Sequence, residues 1–196
     1  MEKQFSAAGQ GLMKVFFGVC LSAAYVLLNT MGLVLVLMPL RVLSAIICLA
    51  VFFLVFVGLT ASSVAESGYR RAIWCARISA VVGLLAALSV DNPILILSLA
   101  VVRQLLELAG IFVVCRLSGR LMAERDGATD RRGELTWRLC VLCGACGIFC
   151  GISIFILHMS GRMMLAVVAV YLALQLLVRL IFMVFLYRSR GVLTAR

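Results

Sequence analysis

The basic residues of this chain are sorted to the ends of long apolar runs, and this sorting constrains the fold more than any other feature of the sequence. Of the 18 Lys and Arg residues, 14 fall on one side of the apolar runs, two on the other side and two inside them. Lys and Arg accumulate in the cytoplasmic connections of membrane proteins and are scarce on the opposite side. The pattern therefore predicts a protein that crosses a membrane several times in a fixed orientation.

The composition excludes an ordinary soluble domain. Hydrophobic residues make up 65% of the chain, charged residues only 13%, and the mean hydropathy is +1.19. A net charge of +10 would indicate nucleic-acid binding in a soluble protein, but here most of the basic residues lie in short connections between apolar runs. We expect the lipid bilayer as the partner, and no nucleic acid.

Six apolar runs are long enough to cross a bilayer as helices. A hydrocarbon core of about 30 Å requires about 20 helical residues, and the period-two alternation of a membrane-spanning barrel is missing from the sequence. The predicted spans cover residues 15–38, 42–60, 74–90, 94–115, 139–158 and 163–187. The sequence therefore predicts an all-α fold, in which residues 1–196 form one polytopic bundle of six transmembrane helices arranged as three hairpins.

The connections between these runs alternate in length and charge. The short ones contain the helix breakers Pro39, Pro93 and Gly161, whereas the longest, residues 118–136, is rich in arginine. The distribution of Lys and Arg places this longest loop and both termini in the cytoplasm. We expect the inner (plasma) membrane of a bacterial cell as the location.

Apart from Arg77, which is near the start of the third run, three charged residues lie inside the apolar runs. Arg103 and Glu107 are four residues apart in the fourth run, and Arg179 lies in the sixth at a similar distance from its basic end. A charge at the bilayer centre costs about 2.5–3.5 kcal/mol, so such residues usually face the bundle interior and pair. Either Glu107 bridges the two arginines, or Arg179 extends towards Arg188 at the membrane surface. The candidate substrate-binding residues are Arg103, Gln104, Glu107, Gln175 and Arg179, with Asn29, four residues from Tyr25 in the first run, as a weaker addition.

Two interpretations of these charges stay open. In the first, the ion pairs are a structural network that holds the helices together. In the second, two cations and one carboxylate leave one unpaired positive charge, which suits an anionic solute. On the second interpretation the chain is a small transporter or the substrate-binding membrane subunit of one. In size alone, six helices in 196 residues resembles the substrate-binding subunits of energy-coupling-factor importers.

The fifth run combines cysteine with glycine. Its four thiols have the spacing of a bacterial ferredoxin cluster motif, but on a straight helix they would form a row over about 15 Å, which favours packing over metal binding. The thiols and the adjoining glycines are Cys140, Cys143, Cys146 and Cys150, with Gly144, Gly147 and Gly151. They predict a smooth face for close helix contact.

A second functional hypothesis follows from this face. The chain would then be a non-catalytic scaffold or complex subunit that binds a membrane protein or a second copy of itself through Gly144, Gly147 and Gly151. We find no enzyme motif and expect no enzymatic activity, cofactor or metal. A thiol-active membrane enzyme that uses Cys143 and Cys146 is the further alternative.

Overall fold

The computed structural model describes residues 2–34, 38–88, 93–123, 130–156 and 161–194, and these residues are almost entirely helical. The six helices are α1 (Glu2–Val34), α2 (Met38–Ser63), α3 (Tyr69–Leu88), α4 (Pro93–Ala123), α5 (Asp130–Ile156) and α6 (Gly161–Thr194). Residues 64–68 form the turn between α2 and α3. The predicted all-α fold is confirmed for the described part of the chain.

Five of the helices are long and apolar enough to cross a membrane. Their apolar stretches are Ser6–Met31, Val42–Ser63, Leu97–Ala123, Arg132–Ser153 and Gly161–Thr194. The remaining helix, α3, carries Arg70, Arg71 and Arg77 in its first half. The guanidinium of Arg77 lies 5.0 Å from the ring centroid of Phe56 and 5.2 Å from that of Trp74, so it is stabilised by aromatic faces. The length and composition of five helices therefore support a membrane protein.

The predicted connection over residues 118–136 is helical over most of its length, in keeping with a continuation of the fourth helix up to Asp126 and Gly127. Helix α4 continues to Ala123 and α5 begins at Asp130, so only residues 124–129 of this loop lie outside the described helices. The helix continues because Leu121 and Met122 are buried in the core, at 6% and 1% exposure. Burial of apolar side chains favours helix here although the segment is basic.

The predicted helix breakers act as helix starts. Pro39 is the second residue of α2 and Pro93 the first of α4, where the missing N–H of proline costs no helical hydrogen bond. Gly161 is the first residue of α6. Leu40, Arg41 and Arg162, from the same predicted connections, are also helical, whereas residues 91–92 and 159–160 lie outside the described part of the chain.

The helices close into a ring. Each helix packs against the next in the chain, α6 packs against α1, and α4 also contacts α6. At one end of this ring the Ser62 hydroxyl donates to the carbonyl oxygen of Ala8 at 3.5 Å. Thr194 of α6 lies beside Gly9 of α1 at the same end, which we call the terminal end of the bundle.

The terminal end holds much of the buried core. Tyr69, at the start of α3, is fully buried and shares a hydrogen bond of 2.7 Å with the Ser118 hydroxyl of α4. Burial raises the pKa of the Tyr69 hydroxyl well above its ordinary value, although the hydrogen bond to Ser118 opposes this rise. The phenol is therefore neutral at physiological pH and joins α3 to α4 as a structural contact.

Candidate functional site

The three charges inside the bundle meet near the middle of α4 and α6. Nε of Arg103 donates to Oε1 of Glu107 at 3.0 Å, and Nη2 of Arg179 donates to Oε2 of Glu107 at 3.2 Å. Each carboxylate oxygen thus accepts from a different arginine. The predicted bridge between the two arginines is present, and it connects two helices whose charged residues are 72 positions apart.

Arg179 is held by neighbours on two helices. Nε donates to the Ser22 hydroxyl of α1 at 3.1 Å, and Nη1 donates to the backbone carbonyl and to Oε1 of Gln175, both at 3.0 Å. The Ser22 hydroxyl itself donates to the carbonyl of Val19 at 2.7 Å. With 9% of its side chain exposed, Arg179 is the most enclosed of the three charged residues.

Arg103 connects α4 to the opposite half of the ring. Nη1 donates to the Tyr25 hydroxyl of α1, and Nη2 donates to the Cys48 thiol of α2 at 3.7 Å. The guanidinium carbon also lies 4.5 Å from the centroid of the Tyr25 ring. On α3, a Cβ added at Gly83 would lie 2.9 Å from Nη1 of Arg103, so glycine leaves room for the charged group.

Two glutamines extend the cluster towards α5. Nε2 of Gln104 donates to the carbonyl oxygen of Gly144 at 3.1 Å. Nε2 of Gln175 is buried and finds no acceptor among the described residues. A Cβ added at Gly147 would lie 3.2 Å from Nε2 of Gln175 and 3.3 Å from Nε2 of Gln104. Five of the six candidate site residues are therefore adjacent.

The glycines of α5 face the interior of this chain. Gly144 packs against the Leu108 side chain of α4, Gly147 against the two glutamines, and Gly151 lies 3.8 Å from the Tyr171 ring of α6, measured from an added Cβ. The small residues let α5 approach α4 and α6 closely. Contact of these glycines with a partner protein stays a prediction, because in the structure they contact their own chain.

The charge cluster lines a cavity of about 160 Å³ between α1, α2, α3, α4 and α6. Its polar lining comes mainly from Ser22, Arg103, Gln104, Glu107, Gln175 and Arg179. Apolar side chains such as Val15, Leu59, Ala72 and Val114 form the wall towards the terminal end. About a third of the Glu107 side chain is accessible, and the residue lines the cavity.

The sixth candidate, Asn29, does not join the cluster. It is not among the residues that line the cavity, and no hydrogen bond joins its side chain to the described residues. Its partner in the predicted pair, Tyr25, is the residue of α1 that contacts Arg103. The helical turn that separates the two residues places Tyr25 nearer to the charges.

All eight cysteines are free thiols. Within the described residues no group of three His, Cys, Asp or Glu side chains is arranged to hold a metal ion. Cys140 donates to the carbonyl of Val178 at 3.7 Å, whereas Cys146 is exposed on the outer face of α5. The row of thiols on α5 therefore divides between the core and the surface of the bundle.

No protein-family model, curated protein or solved structure matches the chain.

Sequence reasoning missed three residues of the cluster. Ser22, Cys48 and Gly83 contact or make room for the arginines, yet each lies in an apolar run with no charged neighbour in sequence. Their only sequence signal is a small or weakly polar side chain inside a predicted span. Their partners are on other helices, so spacing along the chain carries no information about these contacts.

Proposed function

We propose that this protein is a multi-pass membrane transporter, or the substrate-binding membrane subunit of one, and that its solute is an anion. The observation that carries the proposal is the combination of Arg103, Arg179 and Glu107 beside a cavity. Two guanidinium groups and one carboxylate leave one positive charge inside the bundle. A bound anion would neutralise it.

A purely structural role accounts less well for this arrangement. Buried ion pairs are often no more stabilising than apolar residues of similar volume, because both charges lose their hydration. A balanced pair would hold α4 against α6 as well as the present triad does. Hydrogen bonds and the Tyr25 ring stabilise the two guanidinium groups, but Glu107 is the one carboxylate paired with them among the described residues. One positive charge is therefore left without a counter-charge, which favours a role in binding.

The proposed topology has six spans in three hairpins, with α3 as the third span and with the start of α1 and the end of α6 in the cytoplasm of a bacterial cell. The charge distribution supports it, since 14 Lys and Arg residues lie on the proposed cytoplasmic side and two on the other. The contact of Thr194 with Gly9 supports it as well, because an even number of spans brings the two ends to one side.

Reporter fusions test this topology. Alkaline phosphatase is active only outside the cytoplasm, so a fusion after Asn92 or Ser160 should be active and a fusion after Asp126 should be inactive. Green fluorescent protein at the same three positions should give the reverse pattern. An active phosphatase after Asp126 would contradict the orientation, and activity at Asn92 equal to that at Asp126 would contradict α3 as a span.

The proposed anion site predicts a specific loss of binding in Arg179→Gln. The purified full-length protein is titrated calorimetrically with chloride, phosphate, acetate, benzoate and succinate, and uptake of the same anions is measured in proteoliposomes. We expect at least one anion to bind, and Arg179→Gln to weaken that binding at least about tenfold. Uptake by the reconstituted protein identifies a transporter, whereas binding without uptake identifies a subunit.

The matched control for this experiment is Arg188→Gln on the same helix. Arg188 is exposed, so its loss should leave anion binding unchanged. The proposal fails if none of the five anions binds to the unmodified protein, or if the two variants bind the anion equally well.

The scaffold hypothesis needs a different variant from the one that the sequence indicates. Gly147→Leu would displace Gln104 and Gln175, so it would disturb the charge cluster as well as any interface. Phe149 is 73% exposed on α5, and it lies outside the cavity. Loss of a co-purifying partner in Phe149→Ala, with anion binding retained, would favour the scaffold.

A further inference from the structure

The cavity has a charged end and an apolar end, and the two ends indicate different parts of one ligand. Glu107 and Val114 both line it and are seven residues apart on α4, which is about 10 Å along a helix. Between these positions the walls are mainly aliphatic side chains and small residues such as Ala76 and Gly110. A ligand that fills the cavity therefore combines a polar group with an apolar body.

The charge of the cluster limits the charge of the polar group. Two arginines and one glutamate give a net charge of +1, so a singly charged anion would bring the site to neutrality. A dianion would leave an excess negative charge in a mostly apolar cavity, with the desolvation cost of any unpaired charge in the membrane. A neutral ligand would leave the arginine charge unpaired.

The remaining hydrogen-bond donors fit a carboxylate. A guanidinium group carries five N–H donors. Among the described residues, Arg103 makes three side-chain donor bonds and Arg179 four. Two N–H groups of Arg103 and one of Arg179 therefore remain, which is enough to bind both oxygens of a carboxylate.

The volume of the cavity limits the size of the apolar part of the ligand. The cavity measures about 160 Å³, and an engineered apolar cavity of about 150 Å³ in another protein binds one benzene molecule. Typical sites for drug-sized ligands span roughly 300–1,000 Å³. Nucleotides, peptides and complete fatty-acid chains exceed this volume.

We propose that the ligand of this site is a small monocarboxylate with an apolar body about the size of a benzene ring. The carboxylate would accept from the remaining N–H groups of Arg103 and Arg179 beside Glu107, and the apolar body would lie against the α3 and α4 walls towards Val114. This inference rests on the proposed function, because it specifies the anion that the site takes.

Benzoate and its uncharged isostere benzamide test the inference directly. Calorimetric titration of the full-length protein in nanodiscs should show benzoate binding at least about tenfold more tightly than benzamide. Phthalate, which adds a second carboxylate, and acetate, which lacks the apolar body, should both bind more weakly than benzoate. Palmitate serves as the probe for a lipid-derived carboxylate and should not compete with benzoate.

Gly110→Leu tests the location without altering a charge. Gly110 lines the cavity, and a Cβ added there would have the Cys75 side chain at 3.8 Å as its nearest described neighbour, so the first atom of a larger side chain is accommodated. We expect Gly110→Leu to weaken benzoate binding at least about tenfold and to weaken acetate binding by a smaller factor. Gly191→Leu is the matched control, because nothing lies within 4 Å of a Cβ at Gly191.

The possible results of these titrations distinguish a failure of this inference from a failure of the proposed function. Tighter binding of acetate, phthalate or phosphate than of benzoate would overturn the inference and leave an anion site in place. Equal binding of benzamide and benzoate, or displacement of benzoate by palmitate, would also overturn it. If no anion binds, both proposals fail.

Discussion

Glu107→Gln is expected to lower the free energy of unfolding by about 3 kcal/mol, the largest loss of any single charge neutralisation in this chain. Glu107 accepts from Arg103 at 3.0 Å and from Arg179 at 3.2 Å. A neutral glutamine keeps the shape of the side chain but leaves two guanidinium groups without a counter-charge inside the bundle. Titration with sodium dodecyl sulfate, followed by circular dichroism, measures the loss.

The matched control is Glu134→Gln at the start of α5. Glu134 pairs with Arg138 four residues further on, in the reverse order of Arg103 and Glu107, and both members of this pair are more than half exposed. Exposed pairs of this kind contribute about 0.3–0.5 kcal/mol. Equal effects of the two substitutions would show that the charge cluster is hydrated and would contradict its description as a buried network.

A second substitution tests whether charge balance is the cause. In Glu107→Gln combined with Arg179→Gln, one positive charge remains, as in the unmodified protein. The double variant should therefore be more stable than the sum of the two single losses predicts, by about 1 kcal/mol or more. Additive losses would indicate that packing around the side chains matters more than their charge.

The membrane character of this fold can be read from the sequence because it depends on composition and charge alone. The apolar runs and the placement of arginine are properties of the chain that need no knowledge of which helices touch. The residues at which the helices begin and end are harder to predict from the sequence. Leu121 and Met122 extend α4 through a basic segment because they are buried against other helices. That burial is a tertiary contact, which local sequence does not record.

The charged residues of the candidate site can also be predicted from the sequence. Arg103, Glu107 and Arg179 are conspicuous as charges in apolar runs, and the cost of leaving them unpaired predicts that they meet. The partner of Asn29 cannot be predicted in this way, because an amide side chain can hydrogen-bond to any nearby helix. The contact of Ser22 with Arg179 joins residues 157 positions apart. Only the packing of α1 against α6 creates it.

A contact of two glycines controls the packing of α1 against α2, and it predicts the second large effect. A Cβ added at Gly11 would lie 2.5 Å from the carbonyl oxygen of Gly58 and 2.9 Å from the amide nitrogen of Ser62. These are backbone atoms, so they can yield only if the two helices move apart. Small residues four apart, as at Gly58 and Ser62, are typical of close helix contacts in membranes.

Gly11→Ala is therefore expected to destabilise the protein by about 1–3 kcal/mol, although alanine favours helix over glycine. The same substitution at Gly191, where an added Cβ meets nothing within 4 Å, should instead stabilise α6 by up to about 1 kcal/mol. If the free energy of unfolding falls in Gly11→Ala and rises in Gly191→Ala, the effect of the helix contact is distinguished from that of helix propensity. The detergent titration used for Glu107→Gln measures the free energy of unfolding of both variants. Stabilisation by Gly11→Ala would show that α1 and α2 do not make this contact.

Because Val15, Gly18 and Val19 of α1 line the cavity, separation of α1 from α2 should also weaken anion binding. Packing at the terminal end is in this way connected to the proposed site.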